Sequence, residues 1–330
     1  MTFESIIGQD RPIRFLTQTL QKRSVPHALL FTGIDGIGKR KTAVAFGMAL
    51  NCLSPVGVSA CGACISCQKM ISGSHPDMIT VNPEGAFIKI NQVRTVAREL
   101  RFAPLEGNQR FVIINDAQAM NLEASNAILK ILEEPPRHTI LILTASQTTD
   151  LLPTIVSRCQ QIGFRPIPYE KVAEALMDLR GLNRKTATTV AVSTQGSLGK
   201  ALSVDVEAWS LWRSGLLDQI SSLSTTSVQP VFAFAESLSR DKGKLADALD
   251  LLMTWYRDVL LYKVSPGRIV NKDLMNKIQQ VSKGQSISEL LGKVEAVNAT
   301  QTAISRNSNP RLALEVMLIR LCSDDQPSVP

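Results

Sequence analysis

A short apolar run, HALLFTG (27–33), leads into the glycine-rich stretch GIDGIGKRK (33–41), and an apolar helical pattern, KTAVAFGMALNCL, follows at once. A buried strand that stops at a glycine loop and resumes as a helix has few ways to fold. The strand belongs inside a sheet, and the loop belongs at that strand's carboxyl end. Gly33, Gly38 and Lys39 fall in the register of a phosphate-binding loop, G-x-x-x-x-G-K-[ST], with Gly36 inside it. The residue after the lysine is Arg40, where the pattern calls for a hydroxyl that holds Mg²⁺. A guanidinium cannot do this, and Thr42 comes two positions too late in the helix. The segment reads either as a nucleotide-type loop by descent or as a plain glycine turn. The three glycines and Lys39 favour the first. Whether ATP still binds there stays open at this point.

The rest of the first half alternates. PDMITVN (76–82), RFVIIND (110–116) and TILILTAS (139–146) read as strands, and CQQIGF (159–164) as a further one. Between them, NQVRTVARELRF (91–102) puts Val93, Val96 and Leu100 at helical spacing. NLEASNAILKILEE (121–134) reads as a helix capped by Asn121 and stopped by Pro135 and Pro136. Strands alternating with helices imply a mainly parallel sheet flanked by helices. The strand signals stop near residue 166. RPIPYE reads as a linker, residues 168–204 as a few short helices, and nearly everything from 206 onward as helical.

An ATPase of this type also needs an acidic pair at the end of an apolar strand, one carboxylate supporting the metal and one orienting water. VIIND ends instead in Asn115-Asp116. Asn115 is neutral, and Asp116 is a methylene shorter than the usual Glu. Asn-Asp is also a common turn dipeptide. Still, metal support is weakened at Arg40 and at Asn115 alike, and two faults in one mechanism agree.

Four of the six cysteines cluster as Cys52-x8-Cys61-x2-Cys64-x2-Cys67. This spacing can close a tetrahedral Zn²⁺ site. It also suits an iron–sulfur cluster, and free thiols are a third reading. Zinc is favoured, as a structural staple, because no catalytic residue type sits between the ligands. His27, His75 and His138 are scattered and receive no catalytic role.

The bulk numbers bound the class. A chain of 330 residues makes two or three domains. The net charge of +7 permits nucleic-acid or acidic partners, but only 5% of residues are aromatic, which argues against a base-stacking platform. No apolar run reaches the roughly 20 residues that span a bilayer, and MTFESIIGQDRPIRF has no signal-peptide core, so the expected location is the cytoplasm. In SRC (157–159), Arg158 reads on its own as a surface ion-pair residue.

Taken together, IIGQ (6–9), HALLFTG, the glycine loop, the four-cysteine insertion, NAILKILEEPP (126–136) and SRC resemble the clamp-loader branch of the AAA+ proteins. That branch includes the gamma/tau and delta-prime subunits of bacterial DNA polymerase III. The match is dense over the first 165 or so residues and continues thinly through GSLGKAL (196–202) to NPRLALE (309–315). The resemblance implies an α/β AAA+ core over 1–166 with the zinc insertion at 52–67. A small helical lid over 167–205 and an all-α, oligomerising collar over 206–325 follow, with a disordered tail at 326–330. It implies that Arg158 is an arginine finger acting on ATP held by a neighbour, within a hetero-oligomer of gamma/tau and delta subunits that loads a sliding clamp on primed DNA. A gamma/tau motor keeps the loop hydroxyl, an Asp-Glu pair and a lid arginine. Here Arg40, Asn115-Asp116 and Gly199 (beside Lys200) stand instead, which is the non-motor, delta-prime pattern. An ATP-hydrolysing gamma/tau-type subunit is the alternative.

Overall fold

The computed structural model describes residues 2–223, 227–305 and 308–322. The disordered-tail expectation for 326–330 lies outside the described residues. The chain divides into two compact units, Met1–Gly181 with Gln195–Leu202, and Leu182–Thr194 with Ser203 onward.

The first unit is built on five parallel strands: β1 (Ala28–Thr32), β2 (Met78–Val81), β3 (Arg110–Ile114), β4 (Thr139–Ala145) and β5 (Gln160–Gly163). Their order across the sheet is β2-β3-β4-β1-β5. The three central strands are apolar on both faces because helices cover both. Ala28, Leu30, Val112, Ile114, Leu141 and Leu143 point to one core. Leu29, Phe31, Phe111, Ile113, Ile140 and Ile142 point to the other. This is the period-2 alternation of a doubly covered sheet.

Helices α1 (Asp10–Gln21), α2 (Lys39–Asn51) and α3 (Ile65–Ser72) lie on the second face, and α4 (Ile90–Glu99), α5 (Leu122–Glu133) and α6 (Pro153–Val156) on the first. The sequence patterns hold locally. Val93, Val96 and Leu100 are buried. The Asn121 side chain accepts the amide of Ala124 at 2.8 Å, capping α5 as expected. Helix α3, inside the cysteine segment, was not anticipated. The unit is completed by α7 (Tyr169–Arg180) and by residues 195–202, which hold most of α9 (Leu198–Ser203).

The second unit holds α8 (Arg184–Ser193), α10 (Val206–Ser222), α11 (Val228–Ser239), α12 (Lys242–Val264), α13 (Met275–Lys283), α14 (Ile287–Ser305) and α15 (Pro310–Cys322). Its core centres on Trp255, Tyr256, Leu252 and Val259 of α12. A buried polar knot also fixes it: Arg213 pairs with Asp273 and with Asn271 Oδ1, and the fully buried Asp258 accepts the Asn271 amide at 2.7 Å. Among the described residues, no helix is long and apolar enough to cross a membrane.

Candidate functional site

The carboxyl ends of β1, β3 and β4 open into a cleft of about 580 Å³, lined by the glycine loop, Asn115, Asp116, Thr144 and residues of the 195–202 segment. Gly33, Gly36 and Gly38 all have positive φ, at 143°, 76° and 103°. The turn from strand to helix needs these conformations, which side chains resist. All three glycines lie between β1 and α2.

The cleft has a glycine turn at a helix N-terminus, and the side chains around it are engaged with one another or with the backbone. Lys39 is 6% exposed and its Nζ is turned back on the loop. It donates to Gly33 O, to Ile34 O at 3.0 Å, and pairs with Asp35 Oδ1 at 3.2 Å. Arg40 is exposed in the first turn of α2. The Thr42 hydroxyl donates to Gly38 O at 2.8 Å inside the helix, so it does not replace the missing hydroxyl at position 40. Asn115 is buried, and its Nδ2 donates to Asn82 Oδ1 at 2.8 Å. Asp116 adopts a left-handed conformation (φ 50°), which Asp tolerates, and its amide donates to Thr144 Oγ1.

Gly199 lies directly on the loop. Its amide donates to Gly36 O at 2.8 Å, and Ser197 Oγ donates to Asp35 O at 2.7 Å. A Cβ on Gly199 would fall 2.8 Å from Gly36 Cα, and one on Gly36 would fall 2.3 Å from Ser197 Oγ. Two glycines therefore face each other at a distance only glycine allows. Nothing in the local sequence around Gly199 signals that it packs on the loop.

The four cysteines converge. All four sulfurs lie within 4.8 Å of one another. Cys52 is 3.5 Å from Cys61 and 3.9 Å from Cys64, and Cys61 is 4.0 Å from Cys67. A tetrahedron with metal–sulfur bonds of about 2.3 Å has edges of about 3.8 Å, so the donor set fits a tetrahedral metal ion. The amides of Cys61 and Cys64 donate to Cys52 Sγ and Cys61 Sγ, both at 3.3 Å. The Ala63 and Cys64 amides hold the Cys61 thiol below its ordinary pKa. Burial pushes Cys64 up, but the amides of Cys67 and Leu53 outweigh it and bring it down to about 6. Burial dominates at Cys67 and raises it. Thiolates are the form a metal takes.

This centre is tied to the core by groups the sequence did not single out. Asn51, next to Cys52, accepts the amides of Asn108 and Gln109 and donates to Gln109 O. Ser66, next to Cys67, donates to Asn51 O at 2.8 Å and lies 3.2 Å from His75 Nε2. The amide of Asp77 donates to His75 Nδ1, so the ring proton sits on Nε2 and points at Ser66. Asp77, fully buried, accepts the amides of Leu105, Glu106 and Gly107 and pairs with buried Arg110 at 3.1 Å. Charged residues at strand entrances, Asp77 before β2 and Arg110 opening β3, were the available signal.

Arg158 lies between α6 and β5, far along the chain from the glycine loop, and is exposed. Its Nη2 is 2.7 Å from Glu133 Oε1, and its Nη1 donates to Thr154 O at 3.0 Å. It does not line the chain's own cleft.

A family model described as DNA polymerase III, delta subunit, matches residues 8–168, and one described as DNA polymerase III, delta subunit, C terminal, matches residues 208–322. The Bacillus subtilis delta' subunit is 27% identical over 95% of this chain and 96% of its own length. The Pseudomonas aeruginosa delta' subunit is 41% identical over 46% of this chain and 48% of its own. The Bacillus subtilis tau subunit is 25% identical over 99% of this chain, which spans only 62% of tau. With both units matched and the glycine loop, cysteine cluster and SRC element in place, the chain belongs to the delta-prime family of DNA polymerase III clamp-loader subunits.

Proposed function

We propose that this chain is the non-motor delta-prime subunit of a bacterial DNA polymerase III clamp loader. Residues 1–166 are the AAA+ core, 167–205 the lid and 206–325 the collar that joins gamma/tau and delta subunits. In the cytoplasm, the assembly places a sliding clamp on primed DNA. The metal held by Cys52, Cys61, Cys64 and Cys67 is structural zinc. Zn²⁺ takes four thiolates readily, and four protein ligands leave no open position for catalysis. The observation that carries the reading is the state of the cleft. Metal support is absent at Arg40 and Asn115, and the Thr42 hydroxyl is spent on the helix backbone. Lys39 and the loop amides are still able to hold a phosphate unproductively.

The work of this chain is then done in trans. The Arg158 guanidinium neutralises charge developing on the γ-phosphoryl group of ATP bound to a neighbour. Arginine fingers of this kind contribute about 10³–10⁵ in rate at a single site. The test is reconstitution of the loader with wild-type or Arg158→Ala chain. The variant should assemble normally and lower DNA- and clamp-stimulated turnover. Equal turnover in an intact complex would overturn the reading. Hydrolysis by this chain alone would favour the gamma/tau-type alternative.

A further inference from the structure

The residue that holds Arg158 stands where helix physics disfavours it. Glu133 is the last residue of α5, and Glu134 caps that helix. Helix C-termini carry partial negative charge, and carboxylates there are unfavourable. Neither residue is buried, so packing gives no reason for an acid at this end. Among the described residues, Glu133 pairs with Arg158 at 2.7 Å. The second anchor, Thr154 O, takes Nη1 at 3.0 Å. The ion pair comes from α5 and the hydrogen bond from α6, so two elements together restrain where the guanidinium sits. Arg has five N–H donors. Among the described residues its hydrogen bonds run from Nη1, to Thr154 O and, at 3.5 Å, to Ser157 Oγ, while Nη2 makes the ion pair with Glu133.

We infer that Glu133 is a positioning residue for Arg158: it holds the guanidinium, preorganised, in the orientation in which it is delivered to the neighbouring subunit's nucleotide. The inference rests on the reading of Arg158 as a finger in trans. A long, exposed arginine samples many rotamers, and only some present the fork. An exposed ion pair shifts such populations modestly, by about two- to fivefold. The pair also places negative charge near a phosphate site, so its benefit comes from geometry and not from charge.

The test is a double-mutant cycle in the reconstituted loader, with Glu133→Gln, Arg158→Ala and the double variant. Glu133→Gln should lower stimulated kcat by about two- to fivefold, within the reach of an exposed pair, with KM for ATP unchanged. Glu133→Asp, which keeps the charge, should recover part of the loss. In the Arg158→Ala background, Glu133→Gln should have no further effect. Melting temperature and assembly of each variant, measured alongside, exclude a folding cause. If Arg158→Ala lowers turnover and Glu133→Gln leaves it unchanged or raises it, the positioning role is overturned and the finger stands. If Arg158→Ala itself has no effect, the finger reading fails and the inference with it. A Glu133→Gln loss that persists in the Arg158→Ala background would also overturn it.

Discussion

The glycine-loop cleft and the cysteine centre lie on the same core, and each is built from a recognisable motif. In the cleft, the shape of the loop is intact, and under the proposed function its chemistry is lost. Gly33, Gly36 and Gly38 keep their left-handed conformations, but on the proposed reading Arg40 and Asn115 stand where metal support would belong. In the cysteine centre all four donors survive, at separations that fit a tetrahedral ion. The contrast has a physical cause. The glycine loop is held by packing, with Gly199 against Gly36 and Ser197 on Asp35 O, so its shape persists whether or not a nucleotide is used. The cysteine segment gives only Ala60, Cys67 and Met70 to the buried core, and under the proposed function its metal supplies the rest of its hold. A motif held by packing can lose its chemistry and stay folded; a motif held by a metal cannot.

Metal removal is therefore the largest predicted perturbation. Thiolate zinc sites contribute about 10–16 kcal/mol of apparent binding free energy near neutral pH. Cys64→Ser should lose the ion and raise hydrogen exchange across 53–75, and through Asn51 also at 108–109, while the sheet stays protected. Elemental analysis and exchange mass spectrometry check this. Exchange unchanged after metal loss would erase the contrast between the two regions.

Next in size is Asp77→Ala. It strands buried Arg110 and three backbone amides, and breaking such a pair costs about 3–5 kcal/mol. Urea denaturation measures it. The same group gives an acid dependence. Burial works against the Asp77 carboxylate, but the amides of Gly107, Leu105 and Glu106 and the Arg110 guanidinium outweigh it and lower its pKa. A carboxyl lowered in the folded state contributes stability above its unfolded value, near 3.8, and loses it as pH falls toward the lower folded value.

Gly199→Ala comes third. The new Cβ meets Gly36 backbone at 2.8 Å, and overpacking of this kind costs about 1–3 kcal/mol. Gly199→Arg, which supplies a motor's lid arginine, should destabilise the protein and confer no ATP turnover. A stable variant would mean the Gly36–Gly199 contact does not hold the loop.

The smallest effect concerns His75. Burial lowers its pKa from the ordinary 6.5, so the stability it contributes is present above 6.5 and declines as pH falls below it. A proton on Nδ1 would also oppose the Asp77 amide that donates there. Thermal stability between pH 7.5 and 5.5 should fall less in His75→Gln than in the wild type.

The parallel sheet, the glycine turn and the convergence of the four cysteines were legible in the sequence, because each rests on a local pattern: β1's apolar run, Gly33 to Lys39, and Cys-x2-Cys-x2-Cys. The contacts that distinguish a shell from a working site were not. Gly36 and Gly199 are 163 positions apart, and no period links them. The Asp77–Arg110 pair and the Asn51 anchor are likewise set by tertiary placement. Glu133 left a weaker trace, an acid at the wrong end of a helix. Arg158 stood out only as part of a set of motifs, since a lone exposed arginine carries no signal of its own.

The central claim is that the cleft is a retained shell, and steady-state ATP hydrolysis by the purified chain tests it most directly. With Mg²⁺ present and no partner subunits, turnover should not rise above background, and Lys39→Ala should leave that background unchanged. Turnover by the isolated wild-type chain that Lys39→Ala abolishes would contradict the account.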